Sequence, residues 1–94
     1  MGSKAVSNTG PIIHLTEINL IKILNIFQNI TIPEEVKKEL IKNNVPIPKR
    51  IKITKLKPES KDKTKILTNE YNLDLGEAEA IALSIQENIK MLGI

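Results

Sequence analysis

An α/β sandwich built on a small, mostly parallel sheet is the fold this sequence predicts, and two observations predict it. Short runs rich in β-branched residues (Ala5-Val6, Ile30-Thr31-Ile32, Ile51-Lys52-Ile53, Ile89 to Leu92) alternate along the chain with longer stretches of helical periodicity. The first of these runs ends in Ser7-Asn8-Thr9-Gly10-Pro11, small polar residues between a strand and an apolar helix. Open α/β sheets bind their ligands at such strand ends, and helix N-termini favour anions.

Taken in order, Ala5-Val6 reads as a short buried strand. Gly10-Pro11 breaks it, and Ile12, Ile13 and Leu15 open an apolar helix. Asn19 is placed to cap a second helix over Leu20 to Phe27, because Leu20, Ile23, Leu24 and Phe27 follow the i, i+3, i+4, i+7 stripe of a core-facing side. Ile30-Thr31-Ile32 is the next strand, and Pro33 starts a helix where proline's missing N–H costs nothing. Glu34 and Glu35 at its beginning and Lys37, Lys38 and Lys42 further along match the helix dipole. Val36 and Leu40 face the core there, and Glu39 lies at the rim of that face, either turned into a cleft or simply solvated.

Pro46 and Pro48 keep residues 43–50 in a loop, and Ile51-Lys52-Ile53 alternates as an edge strand does. Ser60 is placed to cap a lysine-rich helix to about Asn69, with Ile66 and Leu67 turned inward. Gly76 breaks the chain again. A helix of small residues follows, with Ala78, Ile81, Ala82 and Ile85 as its packing face. Glu77, in the first turn, is expected on the buried side at the end of the helix, where a site can open; its plainer role is a dipole-favoured acid. Ile89 to Leu92 is the last strand.

The 94 residues suffice for one domain with one modest core, and that core is aliphatic because Phe27 and Tyr71 are the only aromatics. No cysteine is present and His14 is the only histidine, which excludes disulfides, thiolate metal sites and multi-histidine sites but not carboxylate sites. No apolar run is long enough to span a membrane, and no signal-peptide pattern opens the sequence, so a cytoplasmic protein is expected. The abundance of Lys, Glu and Ile suits a thermophile, although an AT-rich genome gives the same composition. The net charge of +3 is uneven: Lys49 to Lys65 holds eight basic and two acidic residues. Lys52, Lys55 and Lys57 there, with Ser7 and Thr9, are candidate nucleic-acid contacts, and a solvated charged face is the alternative.

Three stretches together, Val6-Ser-Asn-Thr-Gly-Pro-Ile-Ile-His-Leu15, Ile32-Pro-Glu-Glu-Val-Lys-Lys-Glu-Leu40 and Leu75-Gly-Glu-Ala-Glu-Ala-Ile-Ala-Leu-Ser84, resemble the PIN-domain family. They look more narrowly like the prokaryotic PIN-like subgroup whose first strand ends in Ser-Asn-Thr. The resemblance implies a three-layer α/β/α fold and a Mg²⁺- or Mn²⁺-dependent endoribonuclease, often the toxin of a toxin–antitoxin pair, with an antitoxin protein as partner. Hard divalent cations want oxygen ligands, and a metal can activate water and stabilise phosphate charge. Carried over by position, the catalytic and metal-binding acids fall on Asn8, Glu39 and Glu77.

Asn8 stands where the family carries aspartate; its amide oxygen can ligate a cation but brings no charge. The family pattern also runs on beyond the strand matched by Ile89 to Leu92, whereas this sequence ends at Gly93-Ile94. Two functions therefore stay open. One is a metal-dependent ribonuclease of reduced or lost activity, and the other a non-catalytic RNA-binding or protein-interaction module on the same scaffold. A C-terminally shortened sheet would expose a strand edge, so a homodimer is expected through the last strand or the first two helices.

Overall fold

A computed structural model describes residues 3–92 of the chain. Four strands and four α-helices occur in the order β1 (Ser3–Val6), α1 (Thr9–Glu17), β2 (Phe27–Ile32), α2 (Glu34–Lys42), β3 (Ile51–Ile53), α3 (Pro58–Glu70), α4 (Leu75–Glu87) and β4 (Lys90–Met91), with a 3-10 helix over Ile21–Ile26. The sheet order is β3-β2-β1-β4. Every pairing is parallel, so the carboxyl ends of the strands share one edge of the sheet. Gly93 and Ile94, at the shortened end expected from the sequence, lie outside the described residues.

Register and the two-residue period of a strand sort the core. Ala5 lies beside Ile30 and Ile30 beside Ile51, while Val6 lies beside Thr31 and Met91. One face of the sheet therefore carries Ile30, Ile32 and Ile51, which pack with Ile12 and Leu15 of α1, Leu24 of the 3-10 helix, and Val36 and Leu40 of α2. On the opposite face Val6 packs with Ala80 and Leu83 of α4, flanked by Leu56, Ile89 and Met91. Helices on both faces make the α/β/α arrangement, and Ala5 and Val6, the second half of the inner strand β1, are buried on opposite faces.

The expected second helix is the main correction. Leu20 and Ile23 of its stripe are exposed, and the chain forms a 3-10 turn instead. With three residues per turn, Ile21, Leu24 and Phe27 fall in one line, and these are the three that pack into the core. Phe27 is already extended and begins β2, which is longer than the strand read at Ile30 to Ile32.

Asn19 does not cap that segment. It takes the left-handed conformation (φ 60°), as do Asn44, Asn72 and Asn88. After α1, the N–H of Asn19 bonds Thr16 O at 3.1 Å and that of Leu20 bonds Leu15 O at 2.8 Å, the double closure of a left-handed helix end. The same pair recurs after α2, from Asn44 to Ile41 O and from Val45 to Leu40 O. Asparagine, which tolerates positive φ, replaces the usual glycine at these exits.

Gly10-Pro11 does not interrupt the chain either. Both lie inside the first turn of α1, where proline leaves unused only an N–H that has no helical partner. In α3 the boundary is Lys57 with Pro58 at the first position, and Ser60 is buried inside the helix. Ser60 and Thr64 form its buried face, Ile66 is exposed and Leu67 half-buried, so α3 packs, chiefly against α4, through small hydroxyl residues and only one of the two expected aliphatics. In α4 the expected face is partly wrong: Ala78 and Ala82 are buried, Ile85 is exposed, and Gly76, Ala80 and Leu83 are buried as well. Contacts with α2, α3 and β1 enclose α4 on several sides, which only a small-residue helix allows.

Candidate functional site

The site begins where β1 runs out. The N–H of Ser7 still bonds Thr31 O at 3.1 Å, extending the parallel pairing by one residue. Ser7 itself is fully buried, with its hydroxyl donated to Asn8 O at 2.8 Å. Asn8 then leaves the strand in an extended conformation and stands at the N-cap of α1, yet its side chain makes no cap hydrogen bond. Its Oδ1 is buried and has no partner. A buried carbonyl oxygen without a donor is costly unless a water or a ligand completes it.

The next residue reaches across to α2. Thr9 Oγ1 donates to Glu39 Oε2 at 2.8 Å. Glu39 is half-buried and leans against the first turn of α4: a Cβ built on Gly76 would fall on its carboxylate, with Glu39 Cδ 3.1 Å away. One turn back along α2, the Glu35 N–H meets Glu79 Oε1 at 3.3 Å, so α2 and α4 run antiparallel along this seam. The N-cap of α2 is Pro33, which has no side-chain acceptor, and Glu79 supplies one from the neighbouring helix. Partial burial pushes the Glu79 carboxyl above its ordinary value, against the Glu35 N–H, which favours the charged form.

Asp74 closes the far side. Its Oδ1 accepts the Glu77 N–H at 2.8 Å and so caps α4. Asn8, Thr9, Gly10, Glu39, Asp74 and Glu77 line one open cleft of about 220 Å³ at the carboxyl end of β1. Glu77 is exposed, not on the buried side of its helix. Its carboxyl is held above the ordinary value, first by a side-chain hydrogen bond with Asp74, then by the charge of Asp74, with burial and the charge of Glu39 adding in the same direction. These acids repel one another, and a cation among them would relieve that repulsion.

The structure thus brings Asn8, Glu39 and Glu77 to one cleft. Of the candidate nucleic-acid residues, only Thr9 shares it. Ser7 is buried away from any surface. Lys52 lies on β3 and lines a separate depression with Lys4, Asn29, Thr31 and Thr54. Lys55 borders a polar cleft of about 320 Å³ with Glu35, Lys38, Lys61 and Glu79, and Lys57 stands at the N-cap position of α3 without a side-chain cap. Asp74 was missed, although Asp74-Leu-Gly-Glu77 is the spacing of a capping box and could have drawn notice.

The donor set suits a hard cation in kind: carboxylate oxygens plus one amide oxygen with no other partner. Among the described residues no group of three or more His, Cys, Asp and Glu side chains stands ready to hold a metal alone.

A parallel sheet flanked by helices, with acids gathered beyond the carboxyl end of its central strand, defines an α/β domain with a polar cleft where open parallel sheets bind their ligands. The chain belongs to the PIN-domain family: a family model described as PIN domain matches residues 4–94. PIN domains are nuclease-like proteins that generally use divalent metals. No curated protein and no solved structure matches the chain.

Proposed function

We propose that this PIN domain is a Mg²⁺- or Mn²⁺-dependent endoribonuclease whose cleft is formed by Asn8, Glu39 and Glu77, with Asp74 at its border. The observation that carries the reading is the buried, unpartnered Oδ1 of Asn8, a residue that lines the same cleft as three carboxylates. When bound, the cation supplies neutralisation of phosphate charge and activation of water for hydrolysis of a phosphodiester. Asn8 Oδ1 and the carboxylates of Glu39 and Glu77 would hold it. Thr9 keeps Glu39 turned into the cleft, and Glu77 stands at its open side. Lys38, Lys55 and Lys61, beside the next cleft on the seam between α2 and α4, are available to RNA phosphates as point charges.

The neutral amide of Asn8 favours a second reading, an RNA-binding or protein-interaction module without cleavage. Cleavage of a short single-stranded RNA in Mg²⁺ and in Mn²⁺ separates the two. The first reading expects cleavage by the wild type that is lost in Glu39→Ala and Glu77→Ala; RNA binding without cleavage selects the second. In the first reading the chain acts as a toxin in the cytoplasm and pairs with an antitoxin protein, and a homodimer is its proposed assembly. Exposed Ile18, Leu20, Ile23 and Ile26 and the edge of β4, which pairs with no second strand among the described residues, support a partner surface. No helix among the described residues is long and apolar enough to cross a membrane.

A further inference from the structure

Gly76 sits inside a helix, in the first turn of α4, where no positive φ asks for glycine. On helix propensity alone alanine would be favoured there. What stands against a side chain is specific. The three nearest atoms to a Cβ at this position all belong to the Glu39 carboxyl group, and nothing else crowds it so closely. Gly10, in the first turn of α1, has open space around it by contrast. The bare Cα of Gly76 is thus a seat for one side chain.

Thr9 holds the same carboxylate from the other side. Its hydroxyl crosses from α1 to Glu39 Oε2 at 2.8 Å instead of serving its own helix. A mid-helix glutamate would normally extend into water with its long side chain free. Here Glu39 is half-buried and turned toward the wall of the cleft on which Asn8 Oδ1 is left without a partner.

We propose that Thr9 and Gly76 form a clamp that fixes the Glu39 carboxylate for a hard divalent cation shared with Asn8. This rests on the cation-site reading above and deepens it by naming two positioning residues that touch no substrate. Oε2 accepts from Thr9 and Oε1 is seated against Gly76, so both oxygens are fixed in place, and each keeps a lone pair that a cation could use. A purely structural role, fastening α1 and α4 to α2, would show in stability alone; the clamp shows in cation affinity.

The test is Mn²⁺ titration of the full chain followed by the electron-spin signal of free Mn²⁺, alongside thermal melts without metal. Wild type, Glu39→Gln, Thr9→Val, Thr9→Ser and Gly76→Ala are compared. The expected result is Mn²⁺ binding in the wild type that falls in Glu39→Gln. Affinity should be about tenfold or more lower in Thr9→Val and Gly76→Ala, the size of an outer-shell effect, and restored in Thr9→Ser, with a melt for Thr9→Val close to wild type. If Gly76→Ala does not fold, the Thr9 pair decides. Wild-type affinity in Thr9→Val while Glu39→Gln loses binding overturns the clamp and leaves the cation site standing. No Mn²⁺ binding in the wild type, or binding untouched in Glu39→Gln, removes the site and the clamp together.

Discussion

Asp74 Oδ1 accepts the Glu77 N–H at 2.8 Å, so the residue that starts α4 also presses a second carboxylate against Glu77. Structure and electrostatics are coupled in this pair, and two substitutions separate them. Asp74→Ala should cost about 1 kcal/mol in urea denaturation through loss of the cap. Asp74→Asn keeps an acceptor and should cost less. Both should bring the Glu77 carboxyl down toward its ordinary value, because Asp74 is the main reason it is raised. A Glu77 titration unchanged in Asp74→Ala, measured by carboxyl carbon resonances, would contradict this.

Glu79 predicts a pH effect. Its carboxyl is raised above 4.5, chiefly by burial. The native state then binds this proton more tightly than the unfolded chain does, so the contribution of Glu79 to stability falls as pH rises from the ordinary carboxylate range through the raised value. Above that value the loss is constant. Glu79→Gln keeps an oxygen for the Glu35 N–H and removes the titration. The stability difference, variant minus wild type, should therefore grow in favour of the variant across this weakly acidic window and then level off. A difference that stays flat with pH would show that Glu79 is not raised.

The left-handed asparagines make a third prediction. Asn44 ends α2 at φ 57°. Asn44→Ala should destabilise the fold by about 1 kcal/mol, since a Cβ without a local polar group is disfavoured there. Asn44→Gly should be neutral or slightly stabilising. Equal denaturation midpoints for Asn44→Ala and Asn44→Gly would mean that backbone conformation does not govern this exit.

What the sequence disclosed and what it hid divide along physical lines. The runs Ala5-Val6 and Ile51-Lys52-Ile53 and the helix after Pro33 were legible because a buried strand or an amphipathic helix leaves a periodic trace. The segment Leu20 to Phe27 misled because its aliphatics fit a period of 3.6 through Leu20, Ile23, Leu24 and Phe27 and a period of three through Ile21, Leu24 and Phe27. Only the extended backbone required at Phe27 selects the second. Asn19 and Ser60 are good caps by residue type, and neither caps, because an asparagine serves equally at a left-handed exit and a small serine equally at a close helix contact.

For the site, the family resemblance, carried over by position, indicated Asn8, Glu39 and Glu77 as candidates; residue type alone left solvated or capping roles open to them. Neither could indicate that Glu39 is held by Thr9 and Gly76, which are remote from it in the chain. Asp74 was hidden for a different reason: a capping aspartate has a complete structural explanation and asks for no other.

The central claim is that Asn8 belongs to a divalent-cation site, and calorimetric titration of Mg²⁺ and Mn²⁺ into Asn8 variants tests it most directly. Asn8→Asp adds the charge that the amide lacks, in the same shape, and should bind both cations more tightly than the wild type. Asn8→Ala removes the only oxygen in the cleft that is buried without a partner and should bind them more weakly. Identical cation affinity in wild type, Asn8→Asp and Asn8→Ala would contradict the account.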